Sequence, residues 1–287
     1  MSTAALNPFA PAPRAQAPFG EHLRWWRQQR RLSQLDLADE AAISTRHLSF
    51  METGRSTPSR EMVLRLAERL DVPLRERNRM LTAAGYAPMF GERRLDDPAL
   101  GPARQAMEQI LRAHEPFPAL LVDRHWTLVS ANRMVPLLLQ GLPAELLQPP
   151  LNVLRVSLHP HGLAPRIANF AQWREHLLAR LRQQVEASGD ATLAALADEL
   201  KAYPMPAGET EVEPSTSADS LVATPLQLRT PLGTLSLIGT ITVFGTPADV
   251  TLSELALETF FPADAASGEL LRQLAQALDA AERPTTA

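Results

Sequence analysis

Apolar residues between positions 20 and 84 recur every three or four residues, which predicts a series of short amphipathic helices. Two of these helices follow each other closely, and each begins at a serine that can cap it, Ser33 and Ser44. Only residues 41–43 separate them, so the two helices are predicted to cross as a helix-turn-helix rather than to run antiparallel. Their inward residues are predicted to be Leu35, Leu37, Ala38, Leu48 and Met51.

Three further helical patterns surround this pair, one before it and two after it. The last of them is predicted from Pro73 to Ala84, since proline is tolerated at the start of a helix. A helix-turn-helix cannot bury its apolar faces alone, so the flanking helices predict a small all-α domain of five helices. Inward residues of the flanking helices include Leu23, Trp26, Leu66, Ala67 and Leu70.

The spacing of apolar residues changes after residue 118, where the pattern becomes typical of β-strands. Two long helices, 170–187 and 191–203, separate the first two strands from the others, which favours an antiparallel α+β layer over a doubly wound sheet. The apolar segment 151–158 fits a strand or a helix equally well. Asn132 and Ser267 are predicted helix N-caps. The predicted strands are 119–123, 126–131, 226–229, 233–237 with its continuation 241–244, and 255–261.

Proline and glycine divide the 287-residue chain into two domains. We expect a disordered leader at 1–18, a helix-turn-helix domain at 19–85, a linker at 86–103 and an α+β domain at 104–283. The fold class is therefore multi-domain, with an all-α N-terminal part.

Charge is distributed unevenly between these domains. Residues 20–95 contain 14 arginines and 10 acidic residues, whereas residues 96–287 contain 13 basic and 22 acidic residues. A positively charged N-terminal part suits a domain that contacts the phosphates of a nucleic acid. The acidic C-terminal part suits a domain that does not contact them. The chain has no cysteine and no stretch of 18 apolar residues, so a cytoplasmic setting is expected.

The N-terminal part resembles the phage-repressor-like (XRE) DNA-binding domains, in the ordered set Leu32-Ser33-Gln34, Leu37-Ala38, Ile43-Ser44, Met51-Glu52-Thr53-Gly54-Arg55 and Pro58-Ser59. In this fold the second helix of the motif enters the major groove. Arg46 suits a guanine edge, and Phe50 fits either a thymine methyl or the core. The residues expected to contact double-stranded DNA are Gln34, Ser44, Thr45, Arg46, Ser49, Phe50 and Arg55.

The C-terminal part resembles the MmyB-like ligand-binding domain, a PAS-like fold that follows XRE-type DNA-binding domains in bacterial regulators. The residues that carry the resemblance are 121–132, 159–166 with Asn169 and Trp173, and 257–264. The resemblance implies a cavity between sheet and helices that accepts an apolar, fatty-acid-like molecule.

An arginine beside such a cavity can pair with a carboxylate in a bidentate manner, so Arg166 is the candidate for the polar end of the ligand. An arginine on a solvated helix start is the alternative. His159-Pro160-His161 has the spacing of a metal pair, but no acid follows until Glu175, and a hydrogen-bonded structural histidine is the favoured interpretation. The expected ligand-binding residues are Trp126, His159, Arg166, Asn169 and Trp173, with core packing as the alternative for both tryptophans.

The sequence contains no GxSxG, no glycine-rich phosphate loop and no paired carboxylates at a recognisable spacing, so an enzyme is not expected. No cofactor and no metal are expected. These features predict a homodimeric transcription regulator that binds an operator and senses an apolar small molecule. The alternative is a DNA-binding regulator whose C-terminal half is a protein-interaction or dimerisation module without a ligand.

Overall fold

The computed structural model describes Pro13 and residues 16–209, 224–244 and 249–282. The chain divides into two compact units. Unit 1 comprises Met1–Arg94, Leu181–Ala195 and Thr246–Ser253, and unit 2 comprises Leu95–Arg180, Leu196–Gly245 and Glu254–Ala287. Most of the predicted leader and most of the acidic segment 204–219 lie outside the described residues.

Unit 1 contains the predicted helix-turn-helix within a set of five helices. Ser33 and Ser44 are N-caps as predicted, and the side chain of each accepts a backbone N–H three residues further on. The short connection is possible because Ala42 adopts a left-handed conformation, with φ of 54°. The helices are α1 (Phe19–Gln29), α2 (Gln34–Glu40), α3 (Thr45–Glu52), α4 (Arg60–Arg69) and α5 (Leu74–Ala83).

The core of this helical set is made by the predicted inward residues, with one exception. Leu23, Trp26, Leu37, Leu48 and Leu66 are all fully buried, whereas the prediction for Leu35 is wrong because that side chain is 67% exposed. Residues two apart on an α-helix point about 200° apart. Leu35 and Leu37 therefore cannot both face the core.

Unit 2 is built on the predicted antiparallel α+β layer. Its five strands have the order β2-β1-β5-β4-β3, so the last strand in the sequence lies in the middle of the sheet. The strands are β1 (Ala119–Val122), β2 (Leu128–Ala131), β3 (Leu226–Thr230), β4 (Gly233–Val243) and β5 (Ala256–Pro262). The remaining α-helices of the described chain are α6 (Gly101–Ala113), α7 (Met134–Leu138), α8 (Val153–Leu158), α9 (Phe170–Ser188), α10 (Ala191–Ala202), α11 (Val250–Ser253) and α12 (Ala265–Glu282).

Segment 151–158 is a helix for most of its length, because Asn152 caps it by accepting the N–H of Arg155 at 3.1 Å. Two predicted caps need correction. The final helix begins ahead of Ser267, whose N–H is held by Asp264 at 2.7 Å. Asn132 does accept the N–H of Met134 at 3.3 Å, but its side chain mainly joins β1 to the loop before it.

Helix α9 is shared by the two units, since its residues up to Arg180 belong to unit 2 and those from Leu181 belong to unit 1. Within unit 1, the chain just after α9 meets Trp25 of α1. A Cβ added to Gly189 would lie 2.1 Å from the Trp25 ring, and φ of Gly189 is +65°. This position therefore requires glycine for two independent reasons. In the described part of the chain, no helix has the length and apolarity to cross a membrane.

Candidate DNA-binding surface and ligand cavity

Helix α3 presents a polar face opposite its buried face. Leu48, Met51 and Glu52 point into unit 1, whereas Arg46 is exposed and Thr45, Ser49 and Phe50 are partly exposed. The hydroxyl of Ser44 accepts the N–H of His47 at 3.2 Å and so caps the helix. The residues expected to read DNA therefore share one accessible face.

Phe50 holds two arginines over this face. The Arg46 guanidinium lies 5.2 Å from the Phe50 ring centroid, and that of Arg55 lies 5.9 Å from it. Cation–π contact orders both side chains without consuming their N–H donors. No acidic residue in the described chain pairs with either guanidinium, so two ordered cations remain available to an anion outside the protein.

The carboxylate of Glu52 fixes the orientation of α3. Arg27 of α1 donates from Nε to Oε1 at 2.6 Å and from Nη2 to Oε2 at 3.1 Å, and these two hydrogen bonds tie α1 to α3. Gln34 of α2 donates to Oε2 at 2.8 Å, so at least part of its amide is engaged inside the protein. Burial alone would raise the pKa of Glu52, but the hydrogen bonds of Arg27 and Gln34 and the nearby arginine charges outweigh it and lower that pKa.

The approach of α1 to α3 also depends on a residue that the sequence pattern did not single out. A Cβ added to Gly20 would lie 2.5 Å from the backbone oxygen of Glu52. Only glycine allows α1 to begin this close to the end of α3. A glycine in the first turn of a predicted helix was the available signal.

Unit 2 contains a cavity between the sheet and helices α7, α8 and α9. It encloses about 690 Å³ of space, part of which is open to solvent. The wall is almost wholly aliphatic and aromatic. The lining residues are Pro118, Leu120, Leu128, Val135, Leu138, Leu139, Leu151, Val153, Leu154, Val156, Ser157, Leu163, Trp173, Leu177, Leu226, Glu258 and Phe260.

Glu258 is the one charged residue among those lining residues. It lies on the central strand β5, and its side chain is 8% exposed. Arg180 of α9 donates from Nη1 and Nη2 to the same oxygen, Oε1, at 3.2 Å each. The Arg180 guanidinium also lies 4.2 Å from the ring centroid of Trp126. Burial raises the pKa of Glu258 and Arg180 opposes that rise; two converging guanidinium donors favour the ionised carboxylate.

The second polar feature of the wall is a hydrogen bond between two lining residues. The indole Nε1–H of Trp173 donates to the Ser157 hydroxyl at 3.0 Å. Trp173 is therefore the one expected ligand residue that the structure places on the cavity wall.

The other four expected ligand residues are engaged elsewhere. Arg166 donates to the backbone oxygens of Leu138 and Gln140 at 2.9 and 3.3 Å, because an exposed end of α7 offers carbonyl acceptors. Asn169 bridges the backbone of Pro225 and Gln227. His159 accepts the N–H of His161 and packs on Tyr203. Trp126 is buried under Arg180.

Sequence reasoning overlooked Glu258, Arg180 and Ser157. A signal existed for Glu258, which interrupts the apolar run Ala256-Leu-Glu-Thr-Phe-Phe261 on a predicted strand. Glutamate is rarely buried without a partner. Its position therefore pointed to a specific polar contact inside the domain.

Two stretches of the chain match known protein families. Residues 18–80 match a helix-turn-helix domain. Residues 103–274, more than half of the chain, match the MmyB-like transcription regulator ligand binding domain. No curated protein matches the chain. The first match contains the surface of α3, and the second contains the cavity.

Proposed function

The chain belongs to the MmyB-like transcription regulator ligand binding domain family, and on this premise we propose that it is a phage-repressor-like regulator whose operator binding responds to a fatty-acid-like ligand. The helix-turn-helix and the ligand-binding domain make it a transcription regulator of two domains. The observation that carries the proposal is the cavity with its mostly apolar lining, because a cavity lined in this way favours an apolar small molecule. The protein would act in the cytoplasm, where DNA is accessible.

For DNA, α3 is the recognition helix of the proposal. Arg46 would pair with the O6 and N7 atoms of a guanine, and Thr45 and Ser49 would contact neighbouring base edges. Phe50 would press on a thymine methyl while keeping both arginines in place. Ser44, Arg55 and the remaining N–H of Gln34 would contact phosphates, which fix the register of the protein on the duplex.

A homodimer is part of the same proposal. One recognition helix reads only a few base pairs. Helix-turn-helix proteins therefore commonly bind as dimers to two-fold symmetric operators whose half-sites lie about 34 Å apart. We therefore expect two copies of α3 to read two half-sites.

For the ligand, the proposal is a molecule with one hydrocarbon chain and one polar end, as a fatty acid has. Its chain would lie against the aliphatic wall, where each buried CH2 contributes about 0.8 kcal/mol. Trp173 and Leu177 of α9 line the cavity. Regulation requires that the ligand bind two arrangements of the dimer with different affinity.

The DNA part is tested by selecting binding sites from randomised duplexes. Arg46→Ala should change or abolish the selected sequence. Arg69→Ala is the matched control, because Arg69 is an exposed arginine in the last turn of α4. The same selected sequence with Arg46→Ala as with the natural chain would refute the assignment of α3.

The ligand part is tested by native mass spectrometry of the purified protein without added ligand. A dimer that carries extra mass, released as a lipid on denaturation, supports the proposal. Operator binding measured with and without that lipid then tests the regulation, and equal affinities at saturation would refute it.

One observation favours the second candidate function, a protein-interaction module. Ile241 and Val243 of β4 are 40% and 65% exposed in the described structure, and exposed apolar side chains on a strand suit a protein partner. A dimer without bound mass, whose copies separate when both residues are changed to threonine, would support this candidate instead.

A further inference from the structure

The lining of the cavity contains one side-chain proton that no described residue accepts. Ser157 of α8 lines the cavity, and because a serine side chain consists only of Cβ and Oγ, it brings its hydroxyl to the wall. The Oγ atom accepts the indole N–H of Trp173 at 3.0 Å. A serine in a helix often donates to the carbonyl four residues earlier, which here is that of Val153. The hydrogen bonds of the described chain include none that Ser157 donates from its hydroxyl, so this proton is available to a molecule in the cavity.

Trp173 determines the orientation of this hydroxyl. Its indole is buried and stacks on His176 of the same helix, with ring centroids 5.6 Å apart and ring planes inclined by 25°. The indole nitrogen is only a donor, so Ser157 turns a lone pair toward Trp173. The hydroxyl proton therefore points away from the indole.

The other polar residue of the lining has no proton for an acceptor. The carboxylate of Glu258 is paired with Arg180, and an ionised carboxylate only accepts hydrogen bonds. The remaining lining side chains are apolar apart from Trp173, whose N–H is given to Ser157. Among the described lining residues, Ser157 is therefore the one side chain that can donate to the polar end of a ligand. Arg180 compensates the charge of Glu258, so an anionic head at Ser157 does not meet an unpaired negative charge.

We propose that Ser157 binds the polar end of the ligand by donating its hydroxyl proton to a carboxylate oxygen, and that Trp173 is the positioning residue for that hydroxyl. The inference rests on the proposed ligand-binding function and deepens it, since it assigns the head of the fatty-acid-like ligand to α8 rather than to Arg166. Arg166 is tied to carbonyl oxygens at the end of α7. A hydrogen bond to a charged acceptor is stronger than one to a neutral acceptor, and this difference makes the proposal testable.

The test compares decanoate with methyl decanoate on the full-length protein at pH 8, by isothermal calorimetry below the aggregation limit of each compound. Ser157→Ala should weaken the binding of decanoate by at least about tenfold, and that of the uncharged ester by about threefold. For each compound only the ratio between variant and natural chain is used, so any other difference between the two compounds cancels. A merely structural effect of the substitution would weaken both by the same factor.

Two further variants serve as controls. Ser157→Thr keeps the hydroxyl and should bind decanoate within about threefold of the natural chain, because the donor is retained. Ser130→Ala removes a partly exposed serine of β2 that does not line the cavity. It should leave the affinity for both compounds unchanged.

A measurement on the natural chain does not depend on whether a variant folds. When the Ser157 hydroxyl donates to an anion, its oxygen becomes a stronger acceptor, because linked hydrogen bonds polarise one another. The indole N–H proton of Trp173 should therefore move downfield in the NMR spectrum when decanoate binds, and should move less when methyl decanoate binds. Nuclear Overhauser contacts with the His176 ring, which stacks on Trp173, identify this signal.

The outcomes separate the inference from the proposed function. An equal loss for both compounds in Ser157→Ala, or no measurable loss for decanoate, overturns the inference and leaves the ligand-binding function intact. An indole signal that does not move when decanoate binds overturns the role of Trp173. No binding of either compound to the natural chain overturns the proposed fatty-acid-like ligand, and the inference with it.

Discussion

The ion pair between Arg27 and Glu52 should contribute more to the stability of unit 1 than any other single polar contact of α3. Glu52 has a fully buried side chain and accepts three hydrogen bonds, from Arg27 twice and from Gln34 once. The perturbation is Glu52→Met, which keeps the length of the side chain and deletes its charge. It leaves an arginine with an 11% exposed side chain facing an apolar group.

Removing one partner of a buried pair costs roughly 3–5 kcal/mol. Arg27 keeps one hydrogen bond, from Nη1 to the backbone oxygen of Leu32 at 2.9 Å, which places the expected loss near the lower end, about 3 kcal/mol. For a domain of this size 1 kcal/mol lowers the melting temperature by about 4–8 °C. The expected fall is therefore about 12–24 °C.

Scanning calorimetry of the full-length protein measures this shift in the transition of unit 1. Glu40→Met is the matched control, because Glu40 is an exposed glutamate at the end of α2, and it should change stability by no more than about 0.5 kcal/mol. The double variant Arg27→Met/Glu52→Met should recover much of the loss, since no uncompensated charge remains.

Two results would refute this reasoning. One is a melting temperature of Glu52→Met within about 3 °C of the natural chain, which is less than 1 kcal/mol for a domain of this size. The other is a changed base preference in site selection with unchanged melting, which would make Glu52 a reading residue rather than one that orients α3.

Three further predictions concern unit 1, and thermal unfolding measures each. Burial lowers the pKa of His22, so His22 binds a proton more weakly in the folded state than in the unfolded state. The free energy of unfolding should therefore be highest above about pH 6.5 and should fall as the pH decreases below that value. His22→Leu should show a smaller fall in melting temperature between pH 7.5 and 5.5, and an unchanged fall would contradict this. Gly189→Ala should cost about 1–3 kcal/mol because it displaces Trp25, whereas Gly85→Ala in the same unit, which has positive φ but open space, should cost clearly less; equal losses would show that strain alone matters. Ala42→Gly should raise the melting temperature by about 2–4 °C, because it removes left-handed strain from an exposed alanine, and a lower value would show that the entropy of glycine dominates.

Local signals in the sequence account for most of the fold. Ser33 and Ser44 cap their helices because a hydroxyl near free N–H groups needs no tertiary partner. The strand pattern was also sufficient for five antiparallel strands, including the continuation of β4 to Val243. The prediction for Leu35 is wrong because Leu35 and Leu37 are two residues apart on one helix and therefore point to nearly opposite sides of it.

The candidate cavity was less predictable, and the comparison of two arginines shows why. Arg166 is the sequence candidate because an arginine beside an apolar cavity can pair with a carboxylate, yet its guanidinium is satisfied by a carbonyl at the end of α7, 28 positions away in sequence. Arg180 was overlooked because its partner Glu258 is 78 positions away. Which arginine serves the site depends on which acceptors the completed fold brings near each one, and no periodicity encodes that. An acidic residue within an apolar strand pattern is the better sequence signal. If the strand is buried, the loss of water around the carboxylate must be offset by a charged or hydrogen-bonding partner. Glu258 meets that requirement only in part, because Oε1 is satisfied by Arg180 while the side chain still lines the cavity.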